Sequence, residues 1–362
     1  MTRWHFLAVT GLLALSSHAN ASVGETSALF TASSTSSTSS LTGATFTPRV
    51  APVITPTVTA RSISLSWPEV KSAKPVAYNV TRTGPVGTSS QVCTGANLPV
   101  TNQGTVRCLD TTATSGVSYT YSQQPLLDIA NSTPWSLPAS SSSSSVSAPR
   151  LSYIDSGPDA SSTGPAVTVP YPASVELGDL LILIAICGVN KAPATPPGWN
   201  QIVSRGVSRS SNAYLLVAWR VADGSPAPSL DPRSNGSGTS ARILNYGRFQ
   251  TNSASPVVAT SGVVSGSAVA SATFTPSPNV VTNGANATVI SIVAMSAGNS
   301  PTLTNAQSFT QRISQNLSPG SGTLGLGVAD LLVVASGGSA TSPTWTQSGT
   351  VKDWIYATLA FR

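Results

Sequence analysis

The chain has 362 residues, of which only 8% are charged, and its formal net charge of +6 comes from 18 Lys and Arg against 12 Asp and Glu. So little charge argues against a protein of exposed amphipathic helices, whose solvent faces are usually Glu, Lys and Arg. The positive balance reflects scarce acids rather than a basic run, so nucleic acid is not an expected partner, and mild attraction to an anionic wall or glycan is the better use of it.

In chain order, Met1 to Ala21 reads as a secretory signal peptide. Arg3 is its basic start, Phe6 to Leu15 its apolar run, and Ala19-Asn20-Ala21 its cleavage site. The run is too short to span a bilayer, so no stable membrane insertion is expected after cleavage. Both histidines, His5 and His18, leave with it. The mature chain then lacks the commonest general base and metal ligand. Residues 22–50 form a Ser/Thr-rich segment of low complexity, with no apolar residue from Ser33 to Ser40.

Residues 51–138 alternate apolar and polar positions, as in Ile63-Ser-Leu-Ser-Trp67, and predict a compact β unit. Cys93 and Cys108 sit close together in turn-rich surroundings, and an exported chain is expected to oxidise them to a disulfide. Residues 139–150, almost all serine up to Pro149, predict a flexible linker. Residues 151–362 hold eight or more strand candidates, which predict one larger two-sheet sandwich of jelly-roll type. Two runs rhyme there, Asp179-Leu-Leu-Ile-Leu-Ile-Ala185 and Asp330-Leu-Leu-Val-Val-Ala335. Cys187 lies in the first and is expected to be a buried small hydrophobe. With Gly and Pro every few residues, the fold class is all-β: two β-sandwich domains after a signal peptide.

The order Ser64-Leu-Ser-Trp67, Tyr78-Asn-Val80, Gly116-Val-Ser-Tyr119-Thr-Tyr121, Trp135-Ser136 resembles a fibronectin type III module. That resemblance implies a core role for Trp67 and a corner contact for Tyr119 or Tyr121. Gly178-Asp-Leu-Leu181, Pro196-Pro-Gly-Trp199, Trp219-Arg-Val-Ala-Asp223-Gly and Asn245-Tyr-Gly-Arg-Phe249 resemble a jelly-roll-like module of secreted bacterial surface proteins and phage tail or fibre proteins. Tyr246-Gly247-Arg248 departs from the Tyr-Arg-Gly usual in that family. The resemblance implies a structural or adhesive role and brings no catalytic residues.

A search for chemistry finds little. No serine-nucleophile motif occurs, and zinc is nearly excluded by the ligand inventory. Gly320-Ser-Gly-Thr-Leu-Gly325 matches a dinucleotide fingerprint, but a strand rather than a helix follows. Paired carboxylates remain the chemistry to test. Asp155 with Asp159, or Glu176 with Asp179, suits calcium or, more simply, turn capping. Period two puts Arg242, Leu244, Tyr246 and Arg248 on one strand face, and Arg242, Tyr246 and Arg248 are the candidate binding residues for an anionic or sugar ligand.

The expectation is therefore a secreted or cell-wall-associated structural or adhesion protein, not an enzyme, without cofactor or metal. Its expected partner is a cell-wall or extracellular glycan, or further copies of itself. The alternatives are a carbohydrate-binding protein and a phage or prophage fibre component.

Overall fold

The computed structural model describes residues 51–362 apart from 60, 71–74, 128–134, 164–165, 188–192, 208–212, 232–237, 249–255, 261–262, 270–271, 275–279, 283–286, 297–300, 306–307, 318–323, 334–338, 342 and 348–350. The expected leader and Ser/Thr-rich segment lie outside the described residues. Among those described, regular structure is all strand except two single 3₁₀ turns, and no helix is long and apolar enough to cross a membrane.

Residues 51–148 form two antiparallel sheets around one core. One sheet has the order Thr55–Val58, Ile63–Pro68, Thr105–Asp110, Val100–Asn102. The other runs Ser89–Val92, Ala77–Thr83, Ser118–Leu127, with Trp135–Ser136 and Val146–Ser147 both paired to the last of these. Alternation turns Ile63, Leu65 and Trp67 inward against Val106, Cys108 and Tyr121. Buried Asp110 is satisfied on both sides, since Tyr121 Oη donates to it at 2.9 Å and Arg82 Nη1 at 3.0 Å. Cys93 and Cys108 are disulfide-bonded, 15 residues apart. Closing such a loop restricts the unfolded chain and stabilises by about 3 kcal/mol. Reduction should therefore lower the denaturant midpoint of this unit. Hydrogen exchange read by mass spectrometry on peptides from residues 51–148 and from residues 151–362 follows the two units separately.

The serine run is not a free tether, as its composition led us to expect. Ser140 and Ser143 are each 7% exposed. Their N–H groups donate to the carbonyls of Gln123 and Tyr121, each at 2.8 Å. Their Oγ atoms accept from the N–H groups of the same two residues, each at 3.0 Å. A serine hydroxyl thus replaces the main-chain acceptor of an ordinary ladder, and the run closes the edge of the sheet. Buried Ala148 (3%) and buried Leu151 (2%) are separated only by Pro149 and Arg150, so the connection is two residues long.

Residues 151–361 hold two like halves, each contributing one sheet. The first half's sheet has the order Asp155–Ser156 (with Ala160–Ser162 on the same side), Thr239–Arg248, Asp179–Cys187, Ala213–Val221, Asn200–Val207. The second repeats it as Val257–Thr260 (with Val264–Val269), Val351–Phe361, Ala287–Ser296, Leu324–Val333, Thr310–Leu317. Even the bulge recurs, between Gln201 and Val203 and between Gln311 and Ile313. Following the pairings outward from the bulge sets Val217 on Val328, Ile182 on Ile290, Leu244 on Leu359 and Tyr246 on Phe361. On this register the rhyming runs are not the repeat: Asp179 matches Ala287, whereas Asp330 matches Trp219.

The halves mate face to face, and Ile182, Ile184 and Ile186 share one core with Ile290, Ile292 and Ala294. The outer face of each sheet is covered too. Val167–Thr168 with Ser229–Leu230 lies over the first. Val280–Val281 with Ser339–Ala340, and Thr344–Gln347 with its neighbours, lie over the second. A strand covered on both faces has no polar side, and Asp179–Cys187 and Ala287–Ser296 are buried at every residue. Cys187 belongs to this layer: its thiol shares a 3.2 Å hydrogen bond with Thr239, and burial pushes its pKa up to about 11. Iodoacetamide at pH 8 should leave it unmodified until denaturant unfolds the protein, which intact-mass spectrometry checks.

Candidate functional site

The functional geometry gathers where the first unit meets the first half. Thr59 and Ser62 close a tight turn, with Thr59 N–H donating to the Ser62 carbonyl at 2.9 Å and Ser62 N–H to Thr59 Oγ1 at 3.0 Å. The turn fixes the backbone on which Arg61 stands. Its guanidinium crosses to the other unit and binds Asp179 as a fork, Nε to Oδ1 and Nη2 to Oδ2, both at 2.8 Å. Nη1 reaches Glu176 Oε1 at 3.0 Å, and Nη2 also donates to the Ser174 carbonyl. The Asp179 side chain is 0% exposed, at the first position of a central strand. It accepts further bonds from Glu176 N–H at 2.9 Å and Asn245 Nδ2 at 3.1 Å. Its hydrogen bond holds Arg61 above its ordinary pKa.

Arg61 thus joins the two units by hydrogen bonds. The second half has the same backbone without the cup: Asp155, Asp179 and Asn245 match Ala259, Ala287 and Ala360. The acids are thus specific to the half that receives Arg61, and they are not a property of the fold.

A cleft of about 340 Å³ opens beside this junction, lined by Tyr171, Glu176, Leu177, Leu181, Asp223 and Ser225 among others. Behind it, Arg220 stacks over Trp199 at 5.6 Å, donates to Tyr171 Oη at 3.3 Å and pairs with Asp223. Hydrogen bonds from Ser225 first, then Arg220, hold the Asp223 carboxyl down at about 2. Glu176 and Asp223 are two carboxylates on one cleft.

The residues singled out in the sequence fall elsewhere. Tyr246 is 1% exposed in the core between the halves, edge-on to Tyr153 at 5.8 Å between ring centroids. Burial, and behind it the Asp330 carboxylate, push its phenol well above the ordinary range. Arg242 shares that inward face and is half-buried, with a buried Nε that lacks a hydrogen-bond partner. The side chain of Arg248 lies outside the described residues. Tyr246 therefore lies on an interior face, covered by a second sheet.

Asp159 accepts from Ser240 Oγ at 2.6 Å and stands apart from the cup. Asp155, Glu176 and Asp179 do gather, but around a guanidinium. Among the described residues no group of three His, Cys, Asp or Glu is placed to hold a metal ion. Most of the Gly320–Gly325 fingerprint lies outside the described residues. Sequence reasoning missed Arg61 altogether, since its partner Asp179 lies 118 residues away and nothing local marks it.

No family model matches this chain, and no curated protein matches it.

Proposed function

We propose that this is an extracellular, non-enzymatic structural or adhesion protein whose first unit is a spacer held at a fixed angle on a double-sheet body. The observation that carries the reading is the junction. A two-residue connection between buried residues and a forked Arg61–Asp179 pair make a stiff joint, which suits a spacer under load. The likeness to a fibronectin type III module gains support from Tyr119, whose hydroxyl accepts the Thr114 N–H at 3.2 Å, as a corner tyrosine does. The disulfide suits an oxidising compartment. Fractionating the producing cell into cytosol, membrane, wall and medium tests this reading. It requires the protein in the wall or medium, and recovery in the cytosol overturns it.

A second reading, carbohydrate binding, rests on the cleft, where the Tyr171 ring stands beside Asp223 and Ser225. Rings stack on sugars, and fixed carboxylates accept from their hydroxyls. Retention on insoluble wall polysaccharide that is lost in Tyr171→Ala supports it. Equal retention of the two proteins removes it.

A further inference from the structure

The two halves share a backbone plan, but the two flanks of the face where they meet differ chemically. The Ala213–Val221 strand of the first half lies against Val351–Phe361 of the second, and Asn200–Val207 lies against Val264–Val269. The opposite flank brings Tyr153, which precedes Asp155–Ser156, and the Tyr246 strand over the strands of Arg312 and Asp330. There Arg312 Nε binds Asp330 at 2.9 and 3.0 Å, and its guanidinium sits 4.7 Å from the Tyr153 ring centroid. Tyr246 meets Tyr153 edge-on and faces the Asp330 charge.

The shared register names the residues that hold these four places on the other flank. Phe361 stands for Tyr246, Ile202 for Arg312 and Trp219 for Asp330, and Val257, paired with Phe361, stands beside it as Tyr153 stands beside Tyr246. All four pack on the common core, and none carries a charge. One flank is ionic and aromatic; its structural twin is hydrocarbon and indole.

We infer that the Tyr153–Tyr246–Arg312–Asp330 cluster is a key that lets each half mate with the unlike half and not with the like half of a second copy. Two second halves laid together would press the Arg312–Asp330 pair against Val257 and Phe361. That strips water from a charge pair and offers it only hydrocarbon. Two first halves would set the Tyr153 and Tyr246 rings against Ile202 and Trp219, where neither the Arg312 guanidinium over Tyr153 nor the Asp330 carboxylate is supplied. A chain carrying two similar sheets needs such discrimination, since symmetric faces pair indiscriminately. The inference does not depend on the proposed function.

The test gives both flanks the same chemistry. The variant Tyr153→Val, Tyr246→Phe, Arg312→Ile, Asp330→Trp installs the apolar set on the ionic flank. Wild type and variant are unfolded with the disulfide intact and refolded over a hundredfold range of chain concentration. Size-exclusion chromatography with light scattering then measures the multi-chain fraction. The variant is expected to give a fraction several-fold above wild type that rises with concentration. Equal fractions overturn the inference. Should the quadruple variant not refold, Arg312→Leu with Asp330→Leu carries the same test, because apolar replacement of both members of a buried pair is commonly tolerated. If neither refolds even at the lowest concentration, the cluster is required for the fold rather than for partner choice, and the inference fails.

Discussion

Replacing Arg61 by alanine is expected to destabilise residues 151–362 by about 3 kcal/mol and to loosen the two units from each other. Breaking a buried ion pair from one side leaves the other charge uncompensated, at a cost of about 3–5 kcal/mol. Asp179 is the charge left behind, with a fully buried side chain at the start of a central strand. The low end of the range applies because Asn245 Nδ2 and Glu176 N–H still donate to it. Arg61→Lys should recover only part of the loss, since an ammonium cannot make both 2.8 Å bonds of the fork. Glu176→Gln is the control: its side chain is 59% exposed, and an exposed pair contributes about 1 kcal/mol or less. Urea unfolding reads the stability, and small-angle scattering reads the loosening as a broader distance distribution. An unchanged midpoint for Arg61→Ala would mean that the contact is ordinary surface electrostatics, and the stiff joint behind the proposed function would go with it.

How far the sequence could be read depended on where each residue finds its partner. The all-β class follows from local patterning and the core position of Trp67 from the resemblance noted for residues 64–136, and both are present in the structure. The uninterrupted apolar run at Leu180–Ile186 lies in a strand covered on both faces, as such a run without polar alternation must. The duplication was not legible, because the halves conserve spacing and a bulge while matched residues diverge, as Ile202 and Arg312 or Trp219 and Asp330 do. The face carrying Leu244 and Tyr246 was identified correctly as one face. Whether it met water or another sheet was decided by strands beyond residue 286, which a local pattern cannot report. The serine run misled for a different reason. Its composition resembles a linker's, but a hydroxyl that accepts a main-chain N–H can substitute for a ladder bond, so polarity did not mean solvation.

The other large effect lies in the second half's outer layer, at Trp345. Its side chain is fully buried, and its Nε1–H donates to Ser291 Oγ at 2.9 Å. Ser291 in turn shares a 2.7 Å bond with Tyr356 Oη, which accepts from Thr358 Oγ1 at 3.0 Å. Trp345→Ala therefore opens a cavity and strips a buried hydroxyl of its donor, and about 4 kcal/mol is the expected loss. Gly327 shows how tightly the ring fits: a Cβ there would lie 2.6 Å from Trp345 Cζ3 and 2.8 Å from Val293 Cγ1. Gly327→Ala alone is expected to destabilise through that overlap. In the Trp345→Ala background the indole clash is gone and only Val293 must yield. The two losses should then sum to less than their separate values, by about 1 kcal/mol or more for residues in direct contact. Strict additivity in urea titrations of the four proteins would mean that the ring does not occupy the space above Gly327, and that the covering layer packs on this half in some other way.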